Sequence, residues 1–275
     1  MTMATLPPLS LACLTALPVA PPDWVRLAAR LGCRHVGIRL LPAAPGGTAW
    51  PLMTDAAMLA DTLAAMDETG VSIFDLEIVR LNERFDVEPL RGFLEVGRRL
   101  GAKAILVGGD DADRSRLVDN YARLCEAAAP YGLTCDLEFM PWTQVPDLAS
   151  AKDVVRAARC SNAGLLVDAL HFARSRSRLE DLDDLPREWL HYAQLCDAPA
   201  GIPADHAGLI HTARCERLPP GEGGIDLASI FRRLPADLPV SLEVPHDARL
   251  AMHGAEAWSR QVLAAGRAFF AGLVR

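Results

Sequence analysis

Two hydrophobic patterns alternate along the whole chain. Short runs of consecutive apolar residues are separated by longer stretches in which apolar residues recur every three or four positions. The short runs predict eight strands, over residues 9–17, 35–41, 71–79, 102–107, 133–139, 163–169, 190–195 and 240–244. Most are apolar at successive positions, the mark of strands buried on both faces in a parallel sheet. The longer stretches predict helices over 21–31, 54–68, 87–100, 115–129, 148–158, 226–234 and 255–273. Their ends carry the expected punctuation, with Pro21, Pro22 and Asp23 opening the first, Gly32 closing it, Thr54 capping the second and Gly70 stopping it. The polar stretch 174–186 has room for a short helix only, and 199–224 is predicted as a long irregular loop.

Strands alternating with helices require a parallel sheet with helical crossovers. Eight such units in this length predict a closed (β/α)8 TIM barrel, taken here as a single domain over 1–275. An open doubly wound sheet needs a glycine-rich turn after its first strand, and Leu14-Thr-Ala-Leu-Pro18 is not one.

Composition narrows the function. With 51% hydrophobic residues the chain has material for a large core, and a formal charge of -7 argues against gripping nucleic acid phosphates. Local arginines still leave room for a small anionic substrate. The seven cysteines contain no CxxC pair and read as buried thiols, which makes a reducing, cytoplasmic compartment the expectation. Residues 1–20 lack a basic start and are broken by Pro7, Pro8 and Pro18, so they read as extended chain and not as a signal peptide. No window has the apolar length of a membrane span.

Candidate chemistry sits where the apolar runs stop. Gly164-Leu-Leu-Val-Asp168 places a carboxylate at the end of a buried strand. A helix N-cap is the ordinary explanation of such an aspartate. The pattern recurs, however, at Glu138, Gln194 and Glu243 on the strands predicted fifth, seventh and eighth. In a barrel these four ends face one pocket. Three carboxylates so close would raise one another's pKa values unless a cation lay among them. Oxygen ligands without cysteine or histidine favour a hard ion, Mn2+ or Mg2+, with Co2+ or Zn2+ as further candidates.

The segments Asp168-Ala-Leu-His171, Gln194-Leu-Cys-Asp197-Ala-Pro199, Pro220-Gly221-Glu222-Gly223 and Ser241-Leu-Glu243 resemble motifs of the xylose isomerase-like TIM-barrel superfamily, the sugar phosphate isomerase/epimerase group. That group includes ketose epimerases, hydroxypyruvate isomerase, inosose dehydratase and bacterial dehydroshikimate dehydratases. The resemblance implies Glu138, Asp168, Gln194 and Glu243 as metal ligands. Gln194 in place of histidine is similar to hydroxypyruvate isomerase and dehydroshikimate dehydratase, and the segment from Arg217 to Gly223 is similar to the dehydratase branch. Where many members carry Glu on the second strand, this chain has Gly37.

Such a site suits proton abstraction beside a carbonyl, with a divalent ion stabilising the enediolate as it develops. The leading expectation is a metal-dependent isomerase or epimerase of a small sugar or hydroxy-ketone, in which Glu138 and Glu243 exchange acid and base roles. The alternative is a lyase, a dehydroshikimate or inosose dehydratase, with His171 as acid or base. A nuclease of the AP endonuclease type, or a non-catalytic barrel, is a further alternative. Arg217, Arg214 and His211 are candidates to hold a carboxylate or phosphate. Arg39, Glu77 and Arg80 are candidates for the opposite wall, Trp142 for an apolar wall, and Asp197 for orienting a ligand. The expected partner is a small carbohydrate or hydroxy-keto acid, with a homo-oligomer allowed for and no nucleic acid or membrane involved.

Overall fold

The computed structural model describes residues 6–44 and 46–273. Eight parallel strands close into a barrel in sequence order, the first pairing with the last. They are β1 (Leu9–Leu11), β2 (His35–Arg39), β3 (Ser72–Leu81), β4 (Ala104–Gly109), β5 (Thr134–Glu138), β6 (Ala163–Asp168), β7 (Ala193–Leu195) and β8 (Val240–Leu242). The helices α1 (Pro21–Arg30), α2 (Ala56–Thr69), α3 (Arg91–Arg99), α4 (Arg114–Ala128) and α5 (Leu148–Ala158) follow the first five strands. Beyond β6 come α6 (Ala169–Arg174), α7 (His206–Cys215), α8 (Leu227–Phe231), α9 (Asp247–His253) and α10 (Ala255–Leu273).

Strand side chains alternate between two cores, as the pleat requires. On β4, Ile105 and Val107 join the large cluster shared with the helices, whereas Ala104 and Leu106 belong to a small second cluster with Ile78, Met140, Leu166 and Tyr192. Aspartate starts the helices in a regular way. Asp55, Asp113, Asp147, Asp205 and Asp226 each accept a backbone N–H three residues ahead, at the heads of α2, α4, α5, α7 and α8.

Several boundaries differ from the sequence pattern for local reasons. The run 9–17 is a strand only through Leu11 and then turns through a short 3-10 helix, Cys13–Ala16. There Thr15 Oγ1 donates to Leu242 O and accepts from Val244 N, tying the turn to the end of β8. Asp55, not Thr54, caps α2. The loop 199–224 is not irregular throughout, since α7 lies within it. α8 is shorter than the predicted 226–234, and α9 lies in a stretch without a predicted element. No helix among the described residues is long and apolar enough to cross a membrane.

Candidate active site

A cavity of about 250 Å³ opens at the carboxyl ends of the strands. Glu138, His171, Arg217 and Glu243 line it, together with Arg39, Arg80 and Arg214. Ile78, Leu106, Met140 and Trp142 supply apolar lining. The Trp142 ring meets the His171 ring edge-on, with centroids 5.1 Å apart.

The backbone places the acidic residues as the pleat dictates. Glu138 is the last residue of β5, Asp168 the last of β6, and Glu243 the first after β8, while Gln194 of β7 is the register partner of both Asp168 and Ser241. All four are buried, Asp168 and Gln194 completely. Asp168 serves as a helix cap and, like Gln194, is not among the residues that line the cavity. Its Oδ1 accepts from the N–H groups of Leu170 and His171, while its Oδ2 accepts from Arg217 at 2.5 Å.

Arg217 is the residue whose position departs most from the sequence reading. It is 2% exposed, and its guanidinium lies between Asp168 and Glu243, 2.8 Å from Glu243 Oε2, with Nε donating to Ala213 O. It is an internal counter-ion to two buried carboxylates and still lines the cavity. Gln194 Nε2 donates to Glu243 Oε1 at 3.2 Å. Glu138 has no arginine or lysine partner among the described residues, and its nearest basic atom is His171 Nε2 at 3.7 Å.

One guanidinium therefore faces three carboxylates, and the acidities follow. Burial, then repulsion from Asp168 and Glu243, pushes Glu138 well above the carboxylate range. Burial raises Glu243 to about 7 even though Arg217 pulls it down. At Asp168 burial also opposes ionisation, but Arg217 and His171 outweigh it and hold the acid below its usual value. Burial lowers His171 to about 4 against the pull of Asp168, which leaves a neutral imidazole at neutral pH.

These residues fit a divalent cation. Glu138 Oε1 and Gln194 Oε1 are buried acceptors without a donor, and buried acceptors are rarely left so. Ligand atoms of Glu138, Asp168 and His171 all lie within 4.8 Å of one another. That cluster contains an imidazole, whereas the sequence pattern led to an all-oxygen set.

Asp197, read from the sequence as orienting a ligand, instead organises the glycine loop behind Arg217. Its Oδ1 accepts from the N–H groups of Ala198 and Ile225, and its Oδ2 from those of Gly221 and Gly223. Its backbone pairs with Leu218 in both directions at 2.8 Å, and Arg217 N donates to Pro245 O. A β-carbon at Gly223 would collide with Asp197 and with Ala198 O, so only glycine lets the loop close this far.

The remaining candidates divide. Arg39, Arg80 and Arg214 line the cavity, but His211 does not. It stands exposed on α7, 3.2 Å from Glu216. Glu77 is fully buried and is also absent from the lining; its Oε2 accepts from Arg39 Nη2 at 2.5 Å. Sequence reasoning missed Asp75, a completely buried acid with no partner for either oxygen among the described residues. Its carboxylate fills the room that Gly37 leaves, since a β-carbon there would lie 2.8 Å from Asp75 Oδ2. The missing side chain at 37 was the available signal.

The family model described as "Xylose isomerase-like TIM barrel" matches residues 25–265. A 3-dehydroshikimate dehydratase of Pseudomonas aeruginosa is 33% identical over 159 residues, covering 54% of this chain and 24% of the relative. An inosose isomerase of Bacillus velezensis is 27% identical over 154 residues, covering 51% of this chain and 52% of the relative. The chain thus spans about a quarter and about half of these two proteins. Among solved structures, the IOLI protein with a bound zinc atom superposes with a TM-score of 0.77 at 20% identity, covering 94% of this chain and 95% of that one. With the closed eight-stranded barrel and a family match across most of its length, the chain belongs to the xylose isomerase-like TIM-barrel family.

Proposed function

We propose that this chain is a divalent-metal-dependent enzyme that removes a proton beside the carbonyl of a small hydroxy-ketone, leading to isomerisation or epimerisation. The carrying observation is the set of unmatched groups at the strand ends, where Arg217 pairs with only two of three buried carboxylates, Asp168 and Glu243, and the acceptors of Glu138 and Gln194 lack donors among the described residues. Glu138, Asp168, Gln194 and Glu243 would hold the cation, with His171 near enough to exchange with one of them. When bound, a cation of the Mn2+ or Mg2+ type supplies Lewis-acid polarisation of the substrate carbonyl. The zinc atom in the IOLI structure supports a divalent ion at such a site.

The chain's own groups account for the rest. Glu138 and Glu243 reach the cavity from β5 and from the end of β8, so both can act on a substrate held there. Arg217 keeps Glu243 in place, and the Gln194 amide fixes its other oxygen. Trp142, Met140 and Leu106 exclude water from one side, which strengthens the electrostatic interactions inside.

Dehydration of a hydroxy-keto acid is the second reading. It is favoured by His171, a neutral buried imidazole in the cavity wall that can take the proton from the carbon beside the carbonyl and then pass it to the departing hydroxyl, which leaves as water, and by the dehydratase among the relatives. Incubation with Mn2+ and 3-dehydroshikimate separates the two, because dehydration creates an aromatic ultraviolet band and isomerisation does not. Glu243→Gln is expected to lower turnover by roughly 10²-fold or more and to reduce bound metal. Full activity with wild-type metal content in that variant would overturn the proposal.

A further inference from the structure

The cavity is lined by charges of both signs. Besides Arg217, three arginines from three separate segments line it: Arg39 at the end of β2, Arg80 near the end of β3 and Arg214 on α7. Only Arg39 has a carboxylate partner, Glu77, among the described residues. Its Nε remains a buried donor without an acceptor, on a side chain that is 9% exposed. Arg80 spends Nε on Ala43 O at 2.6 Å, which braces the segment after β2, and its terminal nitrogens have no partner among the described residues. Arg214 makes neither a salt bridge nor a side-chain hydrogen bond among the described residues.

Like charges held together without an anion are unfavourable, and the arginines register it. Burial and then Arg214 lower Arg80, with Glu138 and Asp110 pulling the other way, while burial and then Arg39 lower Arg214. Three guanidiniums converging on one small cavity, with free donors from each, form a site for an anionic oxygen group.

We infer that Arg39, Arg80 and Arg214 form an anion subsite that selects hydroxy-ketones carrying a carboxylate or phosphate over neutral sugars. This rests on the proposed reaction only for the word ketone; the anion preference itself is a binding property. A cavity of about 250 Å³ lies at the small end of ligand sites, so the anion belongs to a compact molecule of roughly sugar size.

The test is calorimetric binding to the purified protein, using two pairs that differ in one charge. Shikimate is compared with its methyl ester, and D-fructose 6-phosphate with D-fructose. The wild-type protein is expected to bind at least one anion about tenfold or more tightly than its neutral partner, with the preferred pair identifying the group as carboxylate or phosphate. Arg80→Gln with Arg214→Gln should abolish the discrimination, and Arg80→Lys with Arg214→Lys should retain part of it. Equal affinities within both pairs, no binding of either anion at millimolar concentration, or discrimination that survives the double glutamine change would each overturn the inference. Because none of these readings requires turnover, inactivity toward every ketone tried would sink the proposed reaction and leave the subsite standing.

Discussion

Asp75 shows how much one residue inside a barrel can cost. Both of its oxygens lack donors, and burial, followed by the charges of Glu77, Glu243 and Asp136, drives its pKa well above the ordinary value. A folded-state pKa above the unfolded one means the native protein binds the proton more tightly. The associated stability is therefore fully present below about pH 4 and is lost as pH rises toward the folded value. Asp75→Asn removes that dependence. The variant is expected to melt several degrees higher than wild type at pH 7, at roughly 2–4 °C per kcal/mol for a chain of this size, with the advantage shrinking toward pH 4. Thermal melts at the two pH values measure this, and a lower melting temperature at pH 7 would show that Asp75 is ionised and has a use for its charge. The neighbouring pair Asp136 and His191, 2.6 Å apart, contrasts with it, since an imidazole within reach gives that buried acid a partner.

At the level of elements, the segment between β7 and β8 decides the shape of the site. α7 presents Arg214 to the cavity, and the turn after it delivers Arg217 between Asp168 and Glu243. Asp197 holds that turn by accepting four backbone N–H groups while itself 1% exposed. Asp197→Ala leaves those donors unsatisfied and is expected to cost about 2–4 kcal/mol, more than one lost partner and less than the sum of four. Urea unfolding gives the loss, and hydrogen exchange should find the amides of Gly221, Gly223 and Ile225 newly exposed. Unchanged exchange there would mean that the loop is held by other contacts. Only part of this segment was legible beforehand. Proline and glycine on both sides of 206–215 hid a helix whose buried face rests on Leu209, Thr212 and Ala213, and three of the four amides on Asp197, those of Gly221, Gly223 and Ile225, come from residues far from it in sequence.

For the whole molecule, buried carboxylates from three strand ends meet at one end of the barrel, and a cation that binds only the folded form should stabilise all of it. Removing divalent ions with a chelator is expected to lower the melting temperature. Restoring Mn2+ to about 100 times its Kd should return roughly 2.7 kcal/mol, or about 5–11 °C. A melting temperature indifferent to both treatments would count against the metal site.

The alternation of apolar runs with helical spacing was enough to define the (β/α)8 barrel, because strand and helix periods are local properties of the chain. Each strand run also named the residue at its end, so Glu138, Asp168, Gln194 and Glu243 could be brought to one rim from sequence alone. What the tertiary structure decided was the pairing of charges. Whether Arg217 reaches outward or lies on Asp168 and Glu243, whether Glu77 faces the cavity or Arg39, and whether Asp75 can fill the room at Gly37 depend on distances across the barrel. Electrostatic energy falls with separation in space and takes no account of separation along the chain, so no sequence pattern could rank those partners.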